Sequence, residues 1–377
     1  MNKDTTTILI IFVLYLLSMI GVGLFFFRKK MNNSEYVLGG RSLNPWVASM
    51  SAQASDMSGW LLTGLPVLAF ASISGAKEAI WTAIGLLLGT ALNWLFVAKR
   101  LRVYTEISSN SLTISSYLSN RFKERTGSIK VISAIVICVF FTVYAASMFS
   151  ASASLFASIF NLPYIWALVI GVFVIVAYVL LGGFLAVSWT DMFQGILMFL
   201  ALILVPFLAY SSISGDTSIA IGEHLSAIWK LLPEASDTSF SYFTIATGLG
   251  WGLGYFGMPH ILVRFMAIKD HKQVRPAMII AMVWTIITLF ASIFIGIFGS
   301  YLFPELDPSK SETIFILVVQ KLFPTVVAGI LLAAVLAAIM STADSQLLVA
   351  STSVSGDVFA PIYKKITKKD PTDKTLL

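Results

Sequence analysis

Apolar runs separated by short polar stretches recur along the whole chain, and nine of them approach or pass membrane-spanning length: 5–27, 45–70, 79–98, 129–160, 164–182, 192–212, 242–262, 277–303 and 324–353. A hydrocarbon core about 30 Å thick needs roughly 20 such residues, so 164–182 is at the short end and the others suffice. The pattern predicts nine transmembrane helices in a single all-α domain. The run between 99 and 130 is amphipathic instead, with Leu112, Ile114, Tyr117, Leu118 and Phe122 near one face, and predicts a helix lying on the surface.

Two of the nine runs are not written as plain helices. The first, around 49–66, reads S-M-S-A-Q-A-S-D-M-S-G-W-L-L-T-G-L-P and carries a carboxylate, Asp56, at membrane depth. Such a group costs roughly 2.5–3.5 kcal/mol even on mild insertion scales, which makes it a functional-site hypothesis. The second has Gly248, Gly250, Gly252, Gly254 and Gly257 close together, followed by Pro259. Each Gly costs a helix interior about 1 kcal/mol against Ala, and Pro about 3. Both runs predict broken helices, whose freed carbonyls survive in a membrane only where they line a cavity. Interrupted spans at matching places in two opposed halves point to the binding site of a secondary transporter.

Charge fixes an orientation. Of the 25 Lys and Arg, 20 fall in the segments after the first, third and seventh runs and in the tail. The positive-inside rule then places the N-terminus outside and the C-terminus in the cytoplasm, as an odd number of crossings requires. Arg28, Lys29 and Lys30 read as the stop that ends the first span. The net charge of +6 is thereby assigned to topology, and no nucleic-acid partner is expected. With 57% hydrophobic and 12% charged residues and a mean hydropathy of +0.87, the chain is a multi-pass membrane protein. One cysteine and three scattered histidines offer neither a disulfide nor a metal-hydrolase site, so no enzyme is expected.

The last run supplies oxygen donors. Ala338, Ser341, Thr342 and Ser345 share a helical face, with Asp344 beside them, the donor types that a hard cation prefers. Trp251 and Tyr255 are four residues apart and would share a face if that segment were α-helical. The segment 182–191 reads as a connection in which Ser188 or Thr190 caps the sixth helix and Asp191 sits in its first turn, with a functional role for Asp191 equally open.

At these residues the chain resembles the sodium/solute symporter family, within it the sodium/proline symporter branch. The matching pieces are L-G-G-R-S-L at 38–43, S-A-x-A-S-D-M-S-G-W-L-L-x-G-L-P at 51–66, K-R-L-R-V-Y-T-E at 99–106, G-G-F-L-A-V-S-W-T-D at 182–191, W-G-L-G-Y-F-G-x-P-H at 251–260 and M-S-T-A-D-S-Q-L-L at 340–348. The resemblance implies a LeuT-type fold of two inverted five-helix repeats. Residues 1–44 form an extra N-terminal helix and loop, 45–213 the first repeat, 242–356 three helices of the second, and 357–377 a cytoplasmic tail. The expectation is a chain truncated after nine helices. The resemblance also implies Na+ held by backbone oxygens of Ala54, Met57 and Ala338 and by the hydroxyls of Ser341 and Thr342. Asp56, Ser58 and Gly59 match residues that couple sodium to substrate; Trp251, Tyr255 and Pro259, with Tyr144, match substrate-side positions. Asp191, Asp344 and Ser345 match a second cation site. Gln53 and Met258 depart from that branch, which commonly has Gly and Gln there. The implied activity is Na+-coupled uptake of a small solute, proline first, across the plasma membrane. The alternatives are another solute (an osmolyte, pantothenate or a sugar) and a solute-sensing membrane module.

Overall fold

The computed structural model describes residues 3–27, 31–160, 162–213, 216–234, 240–369 and 371–376. The basic stop Arg28, Lys29 and Lys30 lies outside the described residues. The elements are α1 (Lys3–Phe26), α2 (Asn33–Leu38), α3 (Pro45–Met57), α4 (Gly64–Ala71), α5 (Ile73–Leu92), α6 (Lys99–Ile107), α7 (Ile114–Arg121), α8 (Ser128–Phe160), α9 (Tyr164–Ser211), α10 (Asp216–Ile228), α11 (Tyr242–Gly250), α12 (Pro259–Ala267), α13 (Val274–Leu302), α14 (Ile314–Leu322), α15 (Thr325–Ser353), α16 (Ala360–Thr367) and α17 (Asp373–Leu376). Sequence marks the starts: Asn32, Asn44, Ser72, Thr113 and Ser241 each turn a side-chain oxygen to an otherwise unpaired amide of the first turn. Glu124 accepts from the Ser128 and Ile129 amides at the start of α8, and these bonds with the Ser128 and Thr126 hydroxyls hold its carboxyl down at about 2.

Among the described residues, six continuous helical runs are long and apolar enough to cross a membrane. The sequence predicts nine. Two expected spans, 45–70 and 242–262, are the interrupted ones, and two more merge into the 48-residue α9. The turn inside α9 is at Gly183, with φ 55°, where an added Cβ would lie 2.7 Å from the Tyr36 ring. The expected capped connection at 182–191 is therefore corrected. Ser188 and Thr190 bond back to the carbonyls of Phe184 and Ala186, helix continues through them, and Asp191 is fully buried.

Two further expectations change. Lys77 and Arg264, counted as loop charges, are interior: Lys77 is 2% exposed with its ammonium over the Phe240 ring, and Arg264 is 0% exposed. The surface helix forms as α7, but it turns Ser115 and Ser119 inward against α8. Leu112, Ile114 and Tyr117 are half-buried and Phe122 is exposed. Small residues win the inner face because the helices meet closely there.

The centre of the molecule is α15, which packs on α1, α3, α8 and α9. Every residue from 331 to 346 is buried, as expected of a helix apolar on all sides. A second seam joins α5 to the glycine-rich segment. A Cβ on Gly85 would meet the Gly248 carbonyl oxygen at 2.2 Å, and one on Gly89 the Gly252 carbonyl oxygen at 2.3 Å. The glycines of the seventh run thus serve close backbone approach as well as helix breaking. Gly89→Val is expected to lower the unfolding midpoint, through overpacking of about 1–3 kcal/mol. Gly250→Ala, where an added Cβ meets nothing within 4 Å, leaves it unchanged. Thermal unfolding of the purified variants checks both.

Candidate functional site

The helix that begins at Asn44 and Pro45 ends at Met57, where Ser58 takes φ 53° and ψ −171°. That conformation costs a non-glycine residue of order 1–3 kcal/mol. The Ser58 hydroxyl accepts from the Trp60 amide at 3.2 Å, and the chain makes one 3-10 turn, Gly59–Leu61, before α4. Gly59 fits because a Cβ there would lie 3.0 Å from the Ile339 side chain of α15. The Leu61 carbonyl accepts from Ser292 Oγ at 2.5 Å, so the opened backbone is satisfied by a neighbour.

The break leaves the last turn of α3 with carbonyls that lack amide partners, and α15 brings hydroxyls to them. Ser341 Oγ donates to the Ala54 carbonyl at 2.9 Å and approaches the Ala338 carbonyl at 3.2 Å. Thr342 Oγ1 donates to Ala338 at 3.1 Å. Four buried neutral oxygens thereby meet at one point between the two helices. The donor set is all oxygen, and both hydroxyls can rotate to present lone pairs, which fits a hard monovalent cation. Met57 is buried at the end of the same turn and borders the adjoining cavity.

That cavity, of about 830 Å³, runs from the break toward Glu312 and Thr313 at one end of the bundle. Asp56, Ser58, Gly59, Trp251, Tyr255 and Tyr144 of α8 all line it. The Tyr255 phenol lies beside the Asp56 carboxyl, and Tyr144 beside Ser58. Trp251 is 53% exposed and stacks on Trp60 with centroids 5.2 Å apart, forming an aromatic wall. The second break, Trp251–Gly257, is a 3-10 helix. Four residues there span a third of a turn beyond a full one, so Trp251 and Tyr255 reach the cavity from different angles and not from one α-helical face. Asn93 Nδ2 donates to the freed Tyr255 carbonyl at 2.9 Å.

Pro259 does not line this cavity; it opens α12 and borders a separate narrow gap with Phe184 and Val263. Met258, one residue earlier, supplies the cavity wall in its place. Gln53 points away and donates to Thr285 Oγ1 of α13.

Asp191, Asp344 and Ser345 do come together, but around an arginine. Arg264 donates to Asp191 Oδ2 at 3.0 Å, to Ser51 Oγ at 3.0 Å and to Ser345 Oγ. Ser51 Oγ donates to Asp191 Oδ2 at 2.6 Å, and Tyr178 donates to Asp344 Oδ2 at 2.6 Å. The Arg264 guanidinium supplies the positive charge that the expected second cation would bring to Asp191. Arg264 is the residue that the sequence reading missed. Its signal in the sequence is a charge inside the apolar run P-H-I-L-V-R-F-M-A, although a seventh span ending at 262 leaves Arg264 among the loop charges.

The end of α12 remote from this cavity is latched. Leu43 and Ile268 pair as a single bridge, with Leu43 N to the Ala267 carbonyl at 3.1 Å. Arg41 donates to the Met266 carbonyl at 2.7 Å, and Arg102 to the carbonyls of Ile268 at 2.5 Å and Lys269 at 3.1 Å. Two cations thus sit on the negative end of α12.

A model of the sodium:solute symporter family matches residues 36–376. The chain is 43% identical over 381 residues to the sodium/proline symporter of Escherichia coli (strain K12), covering 99% of this chain and 74% of the relative. It is 44% identical over 364 residues to a high-affinity proline transporter of Bacillus subtilis (strain 168), covering 95% and 74%. A solved Na+-coupled sialic acid symporter, substrate-bound and outward-open, superposes with a TM-score of 0.79 at 16% identity, over 98% of this chain and 77% of that one. That likeness establishes the fold.

Removing one partner of the buried pair strands the other. Arg264→Met is expected to cost about 3–5 kcal/mol, and adding Asp191→Asn to it restores most of the loss. A double variant as unstable as the single one in thermal unfolding would show that Asp191 is not what Arg264 balances.

Proposed function

The chain belongs to the sodium:solute symporter family, and from this we propose that it carries out Na+-coupled uptake of L-proline across the plasma membrane. The observation that carries the coupling is the meeting of the Ala54 and Ala338 carbonyls with the Ser341 and Thr342 hydroxyls at the break in α3. The proline relatives, at 43% and 44% identity, support the solute. Sodium enters as co-transported substrate and bridges α3 to α15, which orders the opened turn at Ser58. Proline then binds beside it, its carboxylate against free amides of the interrupted helices and its ring against the wall of Trp60 and Trp251. The Asp56 carboxyl and the Tyr255 and Tyr144 phenols orient the imino group.

Nine crossings are supported by the five uninterrupted runs other than α9, the two halves of α9 about Gly183 and the two interrupted spans. Residues 45–213 form one repeat and 242–356 part of its inverted counterpart, with 1–44 ahead and 357–377 as a cytoplasmic tail. The N-terminus lies outside. The cavity then opens outward while the arginine latch closes the cytoplasmic end, and rocking of one bundle against the other exchanges the two. One charge moving through about 100 mV supplies roughly 2.3 kcal/mol, and a tenfold Na+ gradient about 1.4 more. One ion therefore supports accumulation of a few hundredfold.

A second reading has one observation in its favour. Met258 presents an apolar surface to the cavity where the proline branch commonly has Gln, which suits another small solute such as an osmolyte. Uptake of labelled proline into vesicles, with competition by unlabelled solutes, separates the two. Proline uptake is expected to vanish when choline replaces Na+. Ser341→Ala with Thr342→Ala raises the half-saturating Na+ concentration about tenfold or more. Unchanged uptake in choline would remove sodium from the mechanism.

A further inference from the structure

Two exposed apolar stripes end in basic residues at the latched end. On the first, Leu88, Leu92, Leu95 and Phe96 are exposed along α5 and the π-helical turn Asn93–Ala98. Lys99 and Arg100, also exposed, follow four residues after Leu95 and Phe96. On the second, Ile279 and Val283 of α13 are exposed, and Arg275 stands four residues before Ile279. The helix α13 packs on α5 and on the Asn93–Ala98 turn, so the two stripes belong to neighbouring helices. Hydrogen bonds draw their basic ends together. Arg102 of α6 donates to the Ile268 and Lys269 carbonyls, which sets Lys269 and Lys272 beside α6. Arg121 of α7 adds its guanidinium 5.6 Å from the Tyr104 ring centre. In 99–106 and 269–275 the carboxylates are Glu106 and Asp270, and both are engaged. Glu106 accepts from Arg102 at 2.6 Å; Asp270 accepts from the Lys272 amide at 2.9 Å and sits 3.2 Å from His271 Nδ1. The exposed Lys99, Arg100, Lys269, Lys272 and Arg275 thus form a rim with more positive charge than these two carboxylates balance.

We propose that this rim and the apolar stripes beneath it are a binding site for an anionic phospholipid, with the phosphate among the basic side chains and the acyl chains along α5 and α13. Charge and apolar surface together call for one molecule that carries both. A soluble phosphate meets the rim and leaves the stripes uncovered. A zwitterionic lipid covers the stripes but brings its own ammonium to a rim of cations. Basic groups between neighbouring spans suit an anionic headgroup. The place gives the lipid a consequence. The helix α6 carries Arg102, which grips the end of α12, and α5 carries Gly85 and Gly89 of the seam to the second break. A headgroup shared by α6, the 269–272 segment and α13 braces the parts that hold the latch. The inference rests on the membrane setting of the family and is independent of which solute is carried.

The test is a titration of the purified full chain in detergent with phosphatidylglycerol and, separately, with phosphatidylcholine. Bound lipid is read by native mass spectrometry and its effect by the unfolding midpoint. Phosphatidylglycerol is expected to bind saturably and to raise the midpoint. Phosphatidylcholine, and glycerol 3-phosphate as a soluble headgroup, leave the midpoint where it is. Arg100→Gln with Arg275→Gln weakens phosphatidylglycerol about thirtyfold, roughly fivefold for each cation removed. Salt at about 0.5 M weakens it in the wild type as well. Lys368→Gln with Lys369→Gln removes the same charge from the exposed tail and leaves binding unchanged. Mass spectrometry counts lipid on folded protein, so a lower midpoint in the rim variant does not hide the result. Equal binding of the two lipids, an equal loss in the tail variant, or the same rise in midpoint with glycerol 3-phosphate overturns the proposal.

Discussion

A peptide carbonyl freed at membrane depth must find a partner, and this molecule is arranged around where those partners come from. At the first break, Ala54 is met by Ser341, and Leu61 by Ser292. At the second, Tyr255 is met by Asn93. In each case the donor belongs to a helix that runs unbroken past the opening. The intact helices α13 and α15 and the α5 end at Asn93 therefore act as the frame that satisfies the opened segments. The freed carbonyls of Ala54, Leu61 and Tyr255 are thereby satisfied within the protein itself.

Charge is handled by the same economy. Asp191, Arg264, Ser51 and Ser345 join α9, α12, α3 and α15 in one buried network. Arg41 and Arg102 do a similar job at the end of α12, with backbone carbonyls as acceptors. Arg264 and Met266 are two residues apart, so one short helix is gripped at both its middle and its end. Such a helix moves as a unit with its grips or not at all.

Much of this was legible in the sequence. Hydropathy and length mark the six runs that are continuous among the described residues, glycine and proline mark both breaks, and the small-residue face of the last run locates the Ser341 and Thr342 hydroxyls. Three features were not legible, each for a physical reason. Gly183 turns the chain by a backbone angle, with no polar loop to announce it, so 182–191 read as a connection while helix runs through it. Arg264 sits near the end of a span, where a charge looks like a loop charge until its partner Asp191, 73 residues earlier, is brought beside it. The Trp251 and Tyr255 pair was placed by α-helical spacing, and the tighter 3-10 coil changed its angles while keeping both side chains at the cavity.

The seam of α5 against Gly248 and Gly252 has a mechanical meaning. Where helices meet through interlocking side chains, small strains are absorbed by rotamer changes. Here main chain rests on main chain, and neither partner has a side chain to yield. Any shift of the Trp251 coil is handed to α5 without damping, much as a rigid coupling transmits where a spring would not.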